Sequence, residues 1–175
     1  HSAPVTAPIF ALGEQLKAKA PNVQYKYETL DRASKDFTPA VLALRANPPD
    51  MIATMMLPPA AYILMNQLYE QGVAPSAKTW FYDGAGIADY PDFWQNVKDA
   101  GKYMLNFGLY HPQMDIPPIG KEMAAEYTKR TKNEPNRLVF QAADSLLLIA
   151  EAIKQAKSTD PKAITKALQA IKFAG

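Results

Sequence analysis

The stretch DMIATMMLPPAAYILMNQLYEQGVAPSAKTWFYDGAG, residues 50–86, decides the fold class. It opens with an apolar run, Asp50 to Leu57, too short for a buried helix and bounded by Pro58-Pro59. Such a run is expected of a strand buried on both faces of a parallel sheet. Residues 60–71, AAYILMNQLYEQ, then repeat apolar positions at helical spacing, with Gly72 at the exit. Lys78 to Gly86 follow as a second strand that ends in an Asp-Gly turn. Strand, helix and strand in this order give an α/β fold with a mainly parallel sheet flanked by helices.

The rest of the chain agrees. Residues 7–19 place Ile9, Leu12 and Leu16 on a helical stripe that Pro21-Asn22 ends. VQYKYETL, 23–30, alternates Val23, Tyr25 and Tyr27 with polar neighbours and predicts a strand. Thr38-Pro39 predicts a helix start with a hydroxyl cap. Asp89-Tyr90-Pro91 predicts another, running through DFWQNVKDA to Gly101. KYMLNFGLY, 102–110, predicts a further strand. Helices are expected over KEMAAEYTKRT, from Arg137 to Ala156, and after the Asp160-Pro161 cap.

Composition bounds the function. Of 175 residues, 48% are hydrophobic and 21% charged, which suits a chain with a real core. A net charge of +2 with no Lys/Arg stripe argues against a nucleic-acid partner. There is no cysteine, hence no disulfide and no thiolate metal site. The histidines are His1 and His111; neither has an acid at convincing ligand spacing, so no metal is expected and His111 reads as a loop residue. No GxxxxGK[ST] or GxSxG motif occurs. Gly84-Ala85-Gly86 begins a GxGxxG, but Asp89 stands at the third glycine position, and a nucleotide-dependent enzyme is the weakest reading. No cofactor is called for.

In open parallel sheets, ligands bind outside the carboxyl ends of the strands. Three loops leave strand ends here, at Met55 to Pro59, Asp83 to Ala88 and Tyr110 to Met114. Met55 and Met56 suit an adaptable apolar pocket wall. Asp83 admits two readings: a ligand contact, or an aspartate that bonds its own turn.

Four segments carry a resemblance to a known family. They are DFTPAVLALRANPPDMI (36–52), QLYEQGV (67–73), KTWFYDGAG (78–86) and the stretch from Asn133 to Gly175. In order and spacing they resemble the type I periplasmic binding proteins of ABC transporters, in the branched-chain amino-acid-binding (Leu/Ile/Val) group. The resemblance implies two α/β lobes with a ligand in the cleft between them, no chemistry on that ligand, a membrane permease as partner and a periplasmic location. The intact protein is expected to be a monomer. A sensory ligand-binding domain of the same fold is the alternative. Residues 1–133 are expected to form the C-terminal lobe, and 134–175 to be helices returning toward the N-terminal lobe. The lobe's first strand, central in the family's sheet, should run into His1; the reading therefore expects a longer parent chain, or another segment, to supply it. The implied cleft residues are His1, Pro4, Met55, Met56, Asp83, Ala85 and Tyr110. Amino-acid-binding relatives place an acid for the ligand's ammonium group where Ala85 stands. The aromatic of a further motif is replaced in Ala143-Asp144-Ser145. Both departures favour an apolar or aromatic carboxylate over a simple amino acid.

Overall fold

Helix 60–70 organises the first half of the molecule. It buries Ala60, Ala61, Tyr62, Leu64, Met65 and Leu68, a stripe at helical spacing that must face a partner surface. The partner is one face of a parallel sheet. The computed structural model describes residues 3–106 and 108–172, and the chain divides into two compact units, His1–Phe107 and Gly108–Gly175.

In the first unit, α1 spans Ala3–Lys19 and α2 spans Thr38–Ala46. Strand β1 is Met51–Thr54, α3 is Ala60–Glu70, and β2 is Trp80–Asp83. A short α4, Phe93–Val97, runs into a 3-10 turn, Lys98–Gly101, ahead of β3, Leu105–Asn106. The strands are ordered β1-β2-β3 and all pair in parallel. Parallel neighbours need a crossover, and α3 supplies the one between β1 and β2. The α/β fold with a parallel sheet flanked by helices is therefore as expected.

Register sorts the side chains. Ile52 pairs with Phe81 and Thr54 with Asp83, and these sit on the covered face. Met51 pairs with Trp80 and Ala53 with Tyr82 on the other face, where Met51, Trp80 and Leu105 are exposed. The core gathers Phe37, Val41, Phe81, Ile87, Phe93 and Val97 around α3.

Several sequence expectations need correction. The run Asp50 to Leu57 is a strand only over 51–54, and it is not buried on both faces. Residues 23–30 join no ladder; Tyr25 and Tyr27 are half-buried between exposed neighbours, so the alternation marks an extended segment. A strand needs a partner edge as well as a pattern. No described strand flanks β1 on the side away from β2. Of the strand expected over 102–110, Leu105–Asn106 is described as strand, and it starts late because Tyr103 turns the chain at φ 62°. The helix expected from Asp89 is a 3-10 turn over Ile87–Asp89 followed by α4. Thr38 does not cap α2: the Asp36 carboxylate accepts the Thr38 N–H at 2.9 Å instead.

Gly72 ends α3 as expected. It adopts φ 67°, which glycine tolerates without Cβ strain, and the Val73 N–H donates back to the Leu68 carbonyl at 2.8 Å.

The second unit is helical: α5 is Pro118–Thr131, α6 is Arg137–Ala156 and α7 is Pro161–Ala170. Asn136 caps α6 and Asp160 caps α7, each accepting two backbone N–H groups. Among the described residues, no helix is long and apolar enough to cross a membrane.

Candidate functional site

The two longer strands end side by side, and their exits form one structural unit. At the last rung, Thr54 stands opposite Asp83. The Gly84 N–H donates to the Thr54 carbonyl at 2.9 Å, extending the ladder by one bond into the turn. Asp83 then folds the chain over itself. Its Oδ1 accepts the Ala85 N–H at 3.0 Å and its Oδ2 accepts the Ile87 N–H at 2.7 Å. Gly86 adopts φ 72° to complete the turn.

Asp83 is fully buried. Burial pushes its carboxyl above the ordinary value, against the opposing pull of the Ile87, Ala85 and Gly86 amides; nearby Asp89 adds to the rise. The carboxylate thus lies beneath the turn, holding it from the core side. Of the two readings open from sequence, the geometry matches a turn-shaping aspartate.

Gly84 lets the Met55 side chain approach the turn closely. A Cβ there would stand 2.6 Å from the Met55 sulfur and 3.4 Å from the Thr54 carbonyl oxygen. The Met55 thioether lies across the bare glycine, which joins the β1 and β2 exits into one apolar surface. Met55, Met56 and Ala85 are half-buried, and Leu57 is exposed. Met56 and Ala85 also pack against the core beneath them.

Sequence reasoning passed over Thr54 and Gly84. Thr54 Oγ1 is buried with no hydrogen-bond partner. Its only sequence signal is being the one polar side chain inside an otherwise apolar strand. Gly84 was visible as a turn residue, but its contact with Met55 depends on which strands adjoin.

The other expected residues are His1, Pro4 and Tyr110. His1 lies outside the described residues, as does the side chain of Pro4, whose backbone belongs to α1. Tyr110 belongs to the second unit and packs on Phe140 with ring centroids 4.4 Å apart. His111 behaves as a loop histidine: its Nδ1 accepts the Gln113 N–H at 3.2 Å. The partial glycine motif leads into a three-residue 3-10 turn, which lacks the long helix whose N-terminus would take a pyrophosphate. Among the described residues, no cluster of three or more His, Cys, Asp or Glu side chains could hold a metal.

Neighbouring exits of a parallel sheet that carry apolar side chains over a hydrogen-bonded turn offer a ligand an apolar surface. The chain belongs to the periplasmic binding protein family, which it matches over residues 5–175.

Its fold is that of solved branched-chain amino-acid-binding proteins. A leucine binding protein, LivK from Thermotoga maritima, superposes with a TM-score of 0.76 at 20% identity, over 92% of this chain and 44% of that one. The branched-chain amino acid transporter substrate binding protein LivJ from Streptococcus pneumoniae, in complex with isoleucine, gives 0.65 at 19% identity, over 86% and 43%. The chain spans less than half the length of these relatives. No curated protein matches it.

Proposed function

We propose that this chain is the ligand-capturing part of an ABC importer's solute-binding component. It takes a small organic solute, an apolar or aromatic carboxylate or a hydrophobic amino acid, into a cleft between two lobes, without chemical change. The observation that carries the reading is the family match across residues 5–175, together with the apolar strand exits of β1 and β2. Those exits lie where open α/β sheets bind ligands.

In this reading, residues 1–133 form one lobe and 134–175 return toward the other. His1, Pro4, Met55, Met56, Ala85 and Tyr110 line the cleft, and Asp83 serves it from beneath by fixing the turn that presents Ala85. Closure is a hinge motion, driven by contacts that only the closed form makes. The closed form then engages a membrane permease outside the cytoplasm. Family and structural relatives alike are binding proteins, which supports a non-enzymatic role.

The test is a thermal-shift screen of the full-length protein against leucine, isoleucine, 4-methylpentanoate and 3-phenylpropanoate. A ligand at about 100 times its dissociation constant stabilises the folded state by about 2.7 kcal/mol, a readily seen shift. Absence of any shift across the set removes the proposal. Uptake of the bound solute by cells with and without the protein then separates an importer from a sensor.

A further inference from the structure

The two methionines at the β1 exit are seated differently. Met56 packs against the buried core, as Ala85 does. Among the described residues, Met55 is half-buried without joining that cluster. Its sulfur lies instead where a side chain on Gly84 would stand, 2.6 Å from the position of a Cβ there. The Thr54 carbonyl oxygen lies 3.4 Å from the same point and the Tyr82 ring edge 3.5 Å. Gly84 is thus a bare seat, bounded by backbone and a ring edge and covered by a thioether.

Seat and cover differ in freedom. The Gly84 N–H is tied to the Thr54 carbonyl at 2.9 Å, and Asp83 holds the Ala85 and Ile87 amides, so the backbone of the seat is fixed. The cover is an unbranched, polarisable side chain that fits itself to whatever lies beside it.

We propose that Met55 sets the size of the apolar group that this site accepts. The thioether over Gly84 is the adjustable wall of the site, and the hydrocarbon part of a ligand meets it there. The inference rests on the proposed solute-binding role and assigns one residue's part in it. It concerns the apolar part of the ligand alone, and is the same for an amino acid and for a carboxylate. A shorter side chain at position 55 uncovers the seat and makes room for a larger group. A methyl on Gly84 takes the seat, displaces the thioether and leaves less room.

The experiment is calorimetric titration of the full-length protein with two pairs, leucine against phenylalanine and 4-methylpentanoate against 3-phenylpropanoate. In each pair the larger member exceeds the smaller by as many heavy atoms as Met55→Ala removes. Met55→Ala is expected to shift the affinity ratio toward the larger member by about tenfold or more, in whichever pair the parent protein binds. Gly84→Ala is expected to shift the same ratio toward the smaller member, and it keeps the inference testable should Met55→Ala fail to fold. An unchanged ratio, or shifts of the same sign in the two variants, overturns the inference and leaves the solute-binding reading standing. So does loss of all binding by a variant whose urea melt matches that of the parent. Binding of none of the four ligands by the parent protein counts against the solute-binding reading itself, and the inference falls with it.

Discussion

Thr54 and Asp83 face each other across the final rung of the β1–β2 ladder, and they are unequally satisfied. Asp83 holds two backbone N–H groups, whereas the buried Thr54 hydroxyl has no partner. An unpaired buried hydroxyl lowers stability, and replacing it with a methyl of the same shape removes that cost. Thr54→Val is therefore expected to be neutral or to stabilise the fold by up to about 1 kcal/mol. Urea denaturation checks this; a loss of about 1 kcal/mol or more would show that the hydroxyl is bonded in solution.

Asp83→Asn keeps the shape but leaves only one good acceptor for two donors. The expected loss is about 1–3 kcal/mol, the cost of stranding a buried N–H. The same residue sets a pH dependence. Burial raises its folded-state pKa above the ordinary 3.8, so between those values the folded state holds more proton than the unfolded one. This group's contribution to stability is full below about 3.8 and is lost as pH rises through the folded-state value. Subtracting the denaturation curves of Asp83→Asn from those of the parent chain, pH by pH, isolates the effect. A difference that grows in the opposite direction contradicts the assignment.

The fold class was legible because burial writes its own period. The α3 stripe from Ala60 to Leu68 and the short apolar strands could be read without coordinates, as could the glycine exit at Gly72. What failed depended on neighbours. Residues 23–30 have the alternation of a strand but pair with no described edge, and the pattern cannot report that. Met51 and Ala53 are as apolar as a buried strand requires, yet their face of the sheet is open. At the site, the sequence named Asp83 but could not say whether its carboxylate points to a ligand or to its own turn. The Ala85 and Ile87 amides decide that, and the second lies beyond Gly86, which takes a left-handed conformation.

Two glycines separate tight packing from soft packing. A methyl on Gly101 would meet Val97 Cγ2 at 2.9 Å and the Phe93 ring at 3.0 Å, and both neighbours are core residues with little room to move. Gly101→Ala is expected to cost about 1–3 kcal/mol, as overpacking does. A methyl on Gly84 would meet the Met55 sulfur, on a flexible and half-buried side chain that can swing aside. Gly84→Ala should cost less than about 1 kcal/mol. It should still alter ligand affinity, since the displaced thioether belongs to the proposed cleft wall. Equal destabilisation by the two variants in urea melts would contradict this ranking.

The Tyr62 ring and its hydroxyl do different work, and one variant separates them. The ring is buried on α3 and meets Phe93 edge-on at 6.0 Å between centroids. The hydroxyl donates to Asp92 Oδ1 at 2.9 Å, tying α3 to the residue just ahead of α4. Burial first, then the bond to the Asp92 carboxylate, raises the phenol's pKa well above its ordinary value, so it stays a donor throughout the working pH range. Tyr62→Phe keeps the ring contact and deletes only the hydrogen bond. Because the acceptor is charged, the expected loss is about 1.5–3 kcal/mol, and toward the lower end because Asp92 is exposed and can turn to water. Asp92→Asn in the same background tests the pairing. In the Tyr62→Phe chain it should cost only what its own bond from the Asn96 amide is worth, whereas in the parent chain it should weaken the Tyr62 bond as well. Additive losses in that double-mutant cycle would mean that the two groups act independently.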